Sequence, residues 1–215
     1  MSGGFSGFIQ EVRPLVLREP LAEALGAVGE GEEIAYTFTD LVKLAGHACP
    51  TMAGAWLAVE EALGRLYGGD LPVRGDIAVT VFGDPEEGTY GVMANAFMLL
   101  TGAAPATGFK GLGPRFKRKD LLTFSRDRPT PQAQSFAFRR VDTGKRIAVT
   151  FSPRLVPFPP EKARRIGELM EKVAWEAARP EENAEFRELW MEKVRTMLVE
   201  RKDIGIWLTA EEKSA

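Results

Sequence analysis

The chain has 215 residues, 45% of them hydrophobic and 27% charged, with a formal net charge of −2. That size is enough to bury a sizeable core in one domain, and the near-balanced charge supplies no global field for nucleic acid or an anionic membrane, so neither is expected as a partner. A single cysteine excludes an intrachain disulfide and fits a reducing compartment; with no segment that reads as a signal peptide and no apolar run long enough to span a bilayer, a soluble cytoplasmic protein is expected.

In chain order, residues 1–7 are rich in glycine and serine and read as a frayed end. Phe8, Val12, Leu15, Val16, Leu21 and Leu25 form an amphipathic pattern that Pro14 and Pro20 interrupt, which predicts two short helices. Glu30, Gly31, Glu32 and Glu33 make a turn, residues 34–38 read as a strand, and Asp40 is placed to cap a short helix through Leu44.

Next comes Gly46-His47-Ala48-Cys49-Pro50-Thr51, which holds the only histidine and the only cysteine. Pro50 suits the first helical position, and Met52, Ala55, Trp56, Val59, Leu63 and Leu66 recur at helical spacing up to the stop at Gly68-Gly69. Cys49 is therefore the expected N-cap of a helix over 51–67. There its sulfur meets unpaired backbone N–H groups and the positive end of the helix dipole, a setting that suits metal ligation or attack on an electrophile.

Residues 77–82 have strand character, and an acidic turn with Asp84, Glu86 and Glu87 leads into a helix over 89–101 that is apolar on nearly every face. Such a helix is buried in the core or at a dimer interface. Carboxylates at its start are explained by the helix dipole alone. The functional alternative is that Asp84 or Glu87 joins His47 and Cys49 in a three-ligand site with an open position for a divalent metal, and nitrogen, sulfur and oxygen donors together favour zinc.

Residues 110–146 carry eleven Lys or Arg against three Asp. A solvated basic face is the ordinary outcome of such a run. The alternative is that Lys110, Arg115 and Lys117, beside the glycine-containing loop 108–113, hold an anionic small molecule such as a phosphate-bearing pterin or nucleotide. Phe109 and Phe116 are too few to serve as base-stacking platforms.

Three β-rich pieces follow, 121–124, 135–141 and 146–151, the last two joined by a hairpin turn at 142–145. With residues 77–82 they predict an α+β fold, a mixed or antiparallel sheet packed by helices. Pro157, Pro159 and Pro160 stiffen a connector to two amphipathic helices, 161–179 and 184–202, that meet at Pro180. This gives a core domain at residues 1–156 and a C-terminal helical arm at 157–215. The arm either folds back on its own core or, the preferred reading, embraces a second copy of the chain in a homodimer, with the tail from Thr209 loose.

The order of these motifs carries a family resemblance. Gly46-His47-x-Cys49-Pro50 opening a small-residue helix, the strand at 77–82, the acidic turn at Asp84, then Leu100-Thr101-Gly102-Ala103 and the glycine- and lysine-containing loop 108–113 resemble the FmdE-like family of formylmethanofuran dehydrogenase components over residues 35–125. The chain departs from that pattern at Thr51, where family members have glycine, and at Pro85 or Glu86 and Ala103, where they have cysteines. It also has no cysteine left for the zinc ribbon of many relatives.

The resemblance implies accessory action in molybdenum- or tungsten-dependent one-carbon metabolism. The first reading is a metal-binding accessory protein using His47, Cys49 and a carboxylate. A second is a thiol-dependent hydrolase or transferase, with Cys49 as nucleophile, His47 as its base and the helix N-terminus stabilising an oxyanion. A third is a ligand-binding or structural dimer in which neither residue acts.

Overall fold

The structure, a computed structural model, describes residues 7–213; the fraying expected for residues 1–6 and the last two residues of the tail lie outside them. The first amphipathic stretch is not two helices. A 3-10 turn at Gly7–Glu11 leads into a strand, β1 (Leu15–Arg18), and only α1 (Pro20–Ala24) is helical. In so short a window the apolar spacing fits either period. Pairing decides: Leu15 lies opposite Tyr36 and Leu17 opposite Ile34 in the antiparallel partner β2 (Glu33–Tyr36). In α2 (Phe38–Ala45) Asp40 is not the cap but the third helical residue, and its carboxylate accepts the N–H of the cap residue Thr37 at 2.8 Å.

Cys49 caps α3 (Pro50–Tyr67) as the sequence predicts, with Pro50 at the first helical position. β3 (Ile77–Phe82) and α4 (Tyr90–Thr101) follow, then a small hairpin of β4 (Gly111–Leu112) and β5 (Phe116–Lys117), and the strands β6 (Leu122–Ser125), β7 (Gln134–Arg140) and β8 (Arg146–Phe151). The chain closes with α5 (Pro160–Ala174), α6 (Pro180–Arg195) continued by a π-turn at Thr196–Glu200, α7 (Ile204–Trp207) and β9 (Leu208–Lys213).

Five strands form one sheet in the order β6-β3-β7-β8-β9, parallel only between β3 and β6. The fold is α+β, as expected. Ile77, Val79, Val81, Phe136, Phe138, Ile147, Val149 and Phe151 line its covered face and are fully buried. Both long core helices lie there. The Phe97 ring of α4 meets Phe136 and Phe138 edge-on at 4.8 and 5.3 Å. α3 runs antiparallel to β8, since Gly54 touches Phe151 at one end while Lys145 Nζ donates to Arg65 O at 2.7 Å at the other.

The tail expected to be loose is instead β9, which pairs with β8 from Leu208 opposite Phe151 to Lys213 opposite Arg146. Its sequence is too polar to read as a strand because this edge needs only one buried residue, Leu208, at its start. Glu211, Glu212 and Lys213 leave that edge charged, which discourages pairing with another chain.

α5 and α6 form the predicted helical hairpin, tied by Arg165 to Glu185 at 2.6 Å and Lys162 to Glu192 at 2.5 Å. The far end of α6 returns to the chain's own core, where Val194, Met197 and Leu198 are buried. Met170 of α5 and Trp175 at its C-cap stay exposed.

Where the two helices join, Glu182 is buried at the first turn of α6 and held down to about 2 from 4.5, first by Lys172 Nζ and then by the Arg179 N–H and guanidinium. A carboxyl depressed on folding stabilises above its unfolded value and loses that contribution as pH falls through its folded one. Acid titration followed by tryptophan fluorescence is therefore expected to show the hairpin weakening between about pH 4.5 and 2. Glu182→Gln should be less stable at neutral pH and flatter across that window, and a wild-type slope in the variant would refute the assignment.

Candidate functional site

Gly46, in the left-handed conformation at φ 75°, ends α2 and turns the chain back toward α3. His47 is exposed in the resulting loop, and its Nδ1 lies 2.9 Å from Ala45 O. A carbonyl only accepts, so Nδ1 carries the hydrogen, and in the neutral imidazole Nε2 then keeps its lone pair, the arrangement typical of a metal-ligating histidine.

Two residues later the extended backbone of Cys49 turns its side chain inward. The sulfur is buried and accepts the Met52 N–H at 3.4 Å, and Cys49 O receives the Ala53 N–H at 3.0 Å. α6 fastens this loop from outside, Trp190 Nε1 donating to Ala48 O at 2.9 Å. Beside it His47 opens onto an apolar groove of about 710 Å³ lined by Met170, Phe186, Trp190 and Met191. No hydrogen bond joins imidazole and thiol among the described residues.

The acidic turn and the mouth of α3 lie at the same end of the sheet. Phe151, against which Gly54 packs, pairs with Gln134, and Gln134 Nε2 donates to Thr89 Oγ1 at 2.6 Å. The carboxylates themselves are engaged elsewhere. Asp84 accepts the Glu86 N–H at 3.1 Å and pairs with Arg126 at 3.3 Å, and Glu87 pairs with Arg128. Asp84 lines a separate cavity with Ser125 and Arg126. Among the described residues no three His, Cys, Asp or Glu side chains come together closely enough to hold a metal ion. The pair His47 and Cys49 is therefore not a complete ligand set within this conformation of the chain.

The basic segment divides between the two ends of the sheet. Arg126 and Arg128 sit with the acidic turn, while Lys110, Arg115 and Lys117 surround the β4–β5 hairpin, packed near Gly75 and Asp76 where β3 begins. All three are exposed, and Arg115 lines a cavity of about 110 Å³ together with Arg74, Asp76 and Arg118.

Composition gave no sign of what lies beneath them. Arg118 is buried and shares the buried carboxylate of Glu19 with Arg74, whose Nη1 reaches Glu19 Oε2 at 2.5 Å. Arg74 also donates from Nε and Nη2 to Leu99 O at 3.1 and 2.9 Å, capping the negative end of α4. Burial lowers the Arg118 pKa and Glu19 opposes that shift. Burial, then repulsion from Asp142, raises Asp76, with Arg118 opposing. Gly75 is the one available clue: at φ 93° a side chain there would stand 1.5 Å from Arg118 Nη1.

Fold and site together define an α+β protein whose lone thiol caps its central helix, with its lone imidazole in the loop just outside. The family described as "FmdE, Molybdenum formylmethanofuran dehydrogenase operon" matches residues 44–204, from the end of α2 to the start of α7, and the chain belongs to that family. No curated protein matches it. No helix among the described residues is long and apolar enough to cross a membrane.

Proposed function

We propose that the protein is a metal-binding accessory component linked to molybdenum- or tungsten-dependent one-carbon metabolism, acting without a redox centre of its own. Family membership supports the metabolic setting. A single observation carries the metal reading: tying His47 Nδ1 to Ala45 O leaves the Nε2 lone pair free in a loop two residues from the helix-capping thiol of Cys49.

The ion is divalent, and zinc suits the donors best. Oxygen from Asp84 or Glu87 completes the set, given by the same chain or by a second copy in a homodimer. Glu87 is paired with Arg128 and Asp84 with Arg126 and the Glu86 N–H; ion pairs so exposed are worth about 0–1 kcal/mol, which a metal–oxygen bond readily replaces. The exposed Met170 and Trp175, in and just after α5, favour the second copy, which would cover them.

The purified protein, dialysed against zinc and then against metal-free buffer, is expected to retain one ion per chain by elemental analysis. Cys49→Ala and His47→Ala should each lose it while keeping the wild-type circular dichroism spectrum. Absence of stoichiometric metal before and after zinc exposure would refute the proposal.

A further inference from the structure

At the opposite end of the sheet from the Cys49 cap, the β4–β5 hairpin closes over the start of β3 and encloses the cavity of about 110 Å³ lined by Arg74, Gly75, Asp76, Arg115, Phe116 and Arg118. The donors around it are unequally committed. Every nitrogen of Arg74 is in use, Nη1 on Glu19 and the other two on the carbonyl end of α4. Arg118 spends Nη2 on Glu19, but its Nη1 is buried with no acceptor among the described residues, laid across the Cα of Gly75. Arg115 makes no ion pair among the described residues; its guanidinium lies over the Phe116 ring at 5.2 Å.

A buried, charged N–H without an acceptor costs free energy that a protein ordinarily avoids. Three arginines against Glu19 and Asp76 also leave the cavity one positive charge in excess. We propose that it is a binding site for a small oxyanion, held as a forked contact between the guanidinium groups of Arg115 and Arg118. Phosphate has the size and charge the cavity suits, either as the free ion or as the terminal group of a phosphomonoester whose organic part leaves over Phe116. Arg115 is the gripping residue at the mouth, and Arg118, fixed by Glu19, is the preset one inside. This site shares no residue with the proposed metal site, so either can fail without the other.

Isothermal titration of the full chain at constant ionic strength, with inorganic phosphate in one arm and glycerol 3-phosphate in the other, tests it. Saturable binding of one ion per chain is expected in at least one arm, and tighter binding of the ester identifies the organic source. Arg115 is exposed and ties nothing down, so Arg115→Ala should fold as the wild type and bind about tenfold or more weakly. Asp76→Asn, which removes the opposing charge, should bind more tightly. No saturable heat in either arm, undiminished binding by Arg115→Ala, or weaker binding by Asp76→Asn would each overturn the proposal.

Discussion

Glu19→Ala is expected to destabilise the protein by about 3–5 kcal/mol, because it leaves buried guanidinium charge without its partner. Glu19 is 5% exposed, Arg118 3% and Arg74 19%, and one carboxylate answers both cations. Exposed pairs such as Arg65 with Glu61 are worth about 0–1 kcal/mol, since water screens them and substitutes for either partner. Such screening is slight at Arg118, of which so little is exposed.

Glu19→Gln keeps the volume but sets an amide N–H₂ against a guanidinium, so its loss should approach that of alanine. Removing the orphan as well separates charge from packing. Glu19→Ala with Arg118→Met should be less destabilised than Glu19→Ala alone, whereas simple loss of contacts would make the double variant worse. Urea unfolding supplies the measurement, with a shifted midpoint at constant slope. A loss below about 1 kcal/mol would mean that solvent enters the cluster.

The same cluster shows where sequence reasoning reaches its limit. Strands at 77–82 and 146–151 are readable to the residue, because alternating apolar positions are punctuated by glycine turns. The start of α3 is equally plain in Pro50. Those signals are local. Glu19 meets Arg74 across 55 positions and Arg118 across 99, and no window spans either separation. β1 was ambiguous for a different reason: four residues are too few to distinguish a period of 2 from one of 3.6 until β2 is seen beside them.

At the candidate site, nearness in sequence was a poor guide to direction. The extended backbone at Cys49 buries the sulfur against Met52 N–H, while His47 stays outside beside the α6 groove. Asp84 and Glu87 do reach the right end of the sheet, but composition gave no reason to pair them with Arg126 and Arg128. A basic run counted as one patch is divided by the sheet into two groups at opposite ends, one neutralising the acidic turn and one flanking the Arg118 cavity.

Two glycines on one helix should respond to alanine in opposite directions. In α3, an alanine in place of an exposed helical glycine gains up to about 1 kcal/mol in backbone propensity. Gly64 is such a position, with nothing within 4 Å of where its Cβ would stand, so Gly64→Ala is expected to stabilise. At Gly54 the same atom would lie 2.3 Å from Phe151 Cε1 and 2.5 Å from Cζ.

That ring has nowhere to go. Phe151 is 1% exposed, its strand is paired on both sides by Gln134 and Leu208, and Trp207 stands edge-on at 6.3 Å. Overpacking costs about 1–3 kcal/mol and sometimes more, so the clash exceeds the propensity gain and Gly54→Ala is expected to destabilise, Gly54→Val more so. Adding Phe151→Leu, which shortens the blocking side chain, should recover part of the loss, since the two residues touch and their effects are coupled.

Relief without that second change requires α3 to move away from β8, and Gly54 is only about one turn from the cap. The Met52 N–H to Cys49 contact and the loop carrying His47 would move with it. Metal retention in Gly54→Ala is therefore expected to fall along with stability, while Gly64→Ala leaves it intact. Equal stabilisation by both alanines would show that α3 does not press on Phe151, and that the helix mouth is not held where the sheet places it.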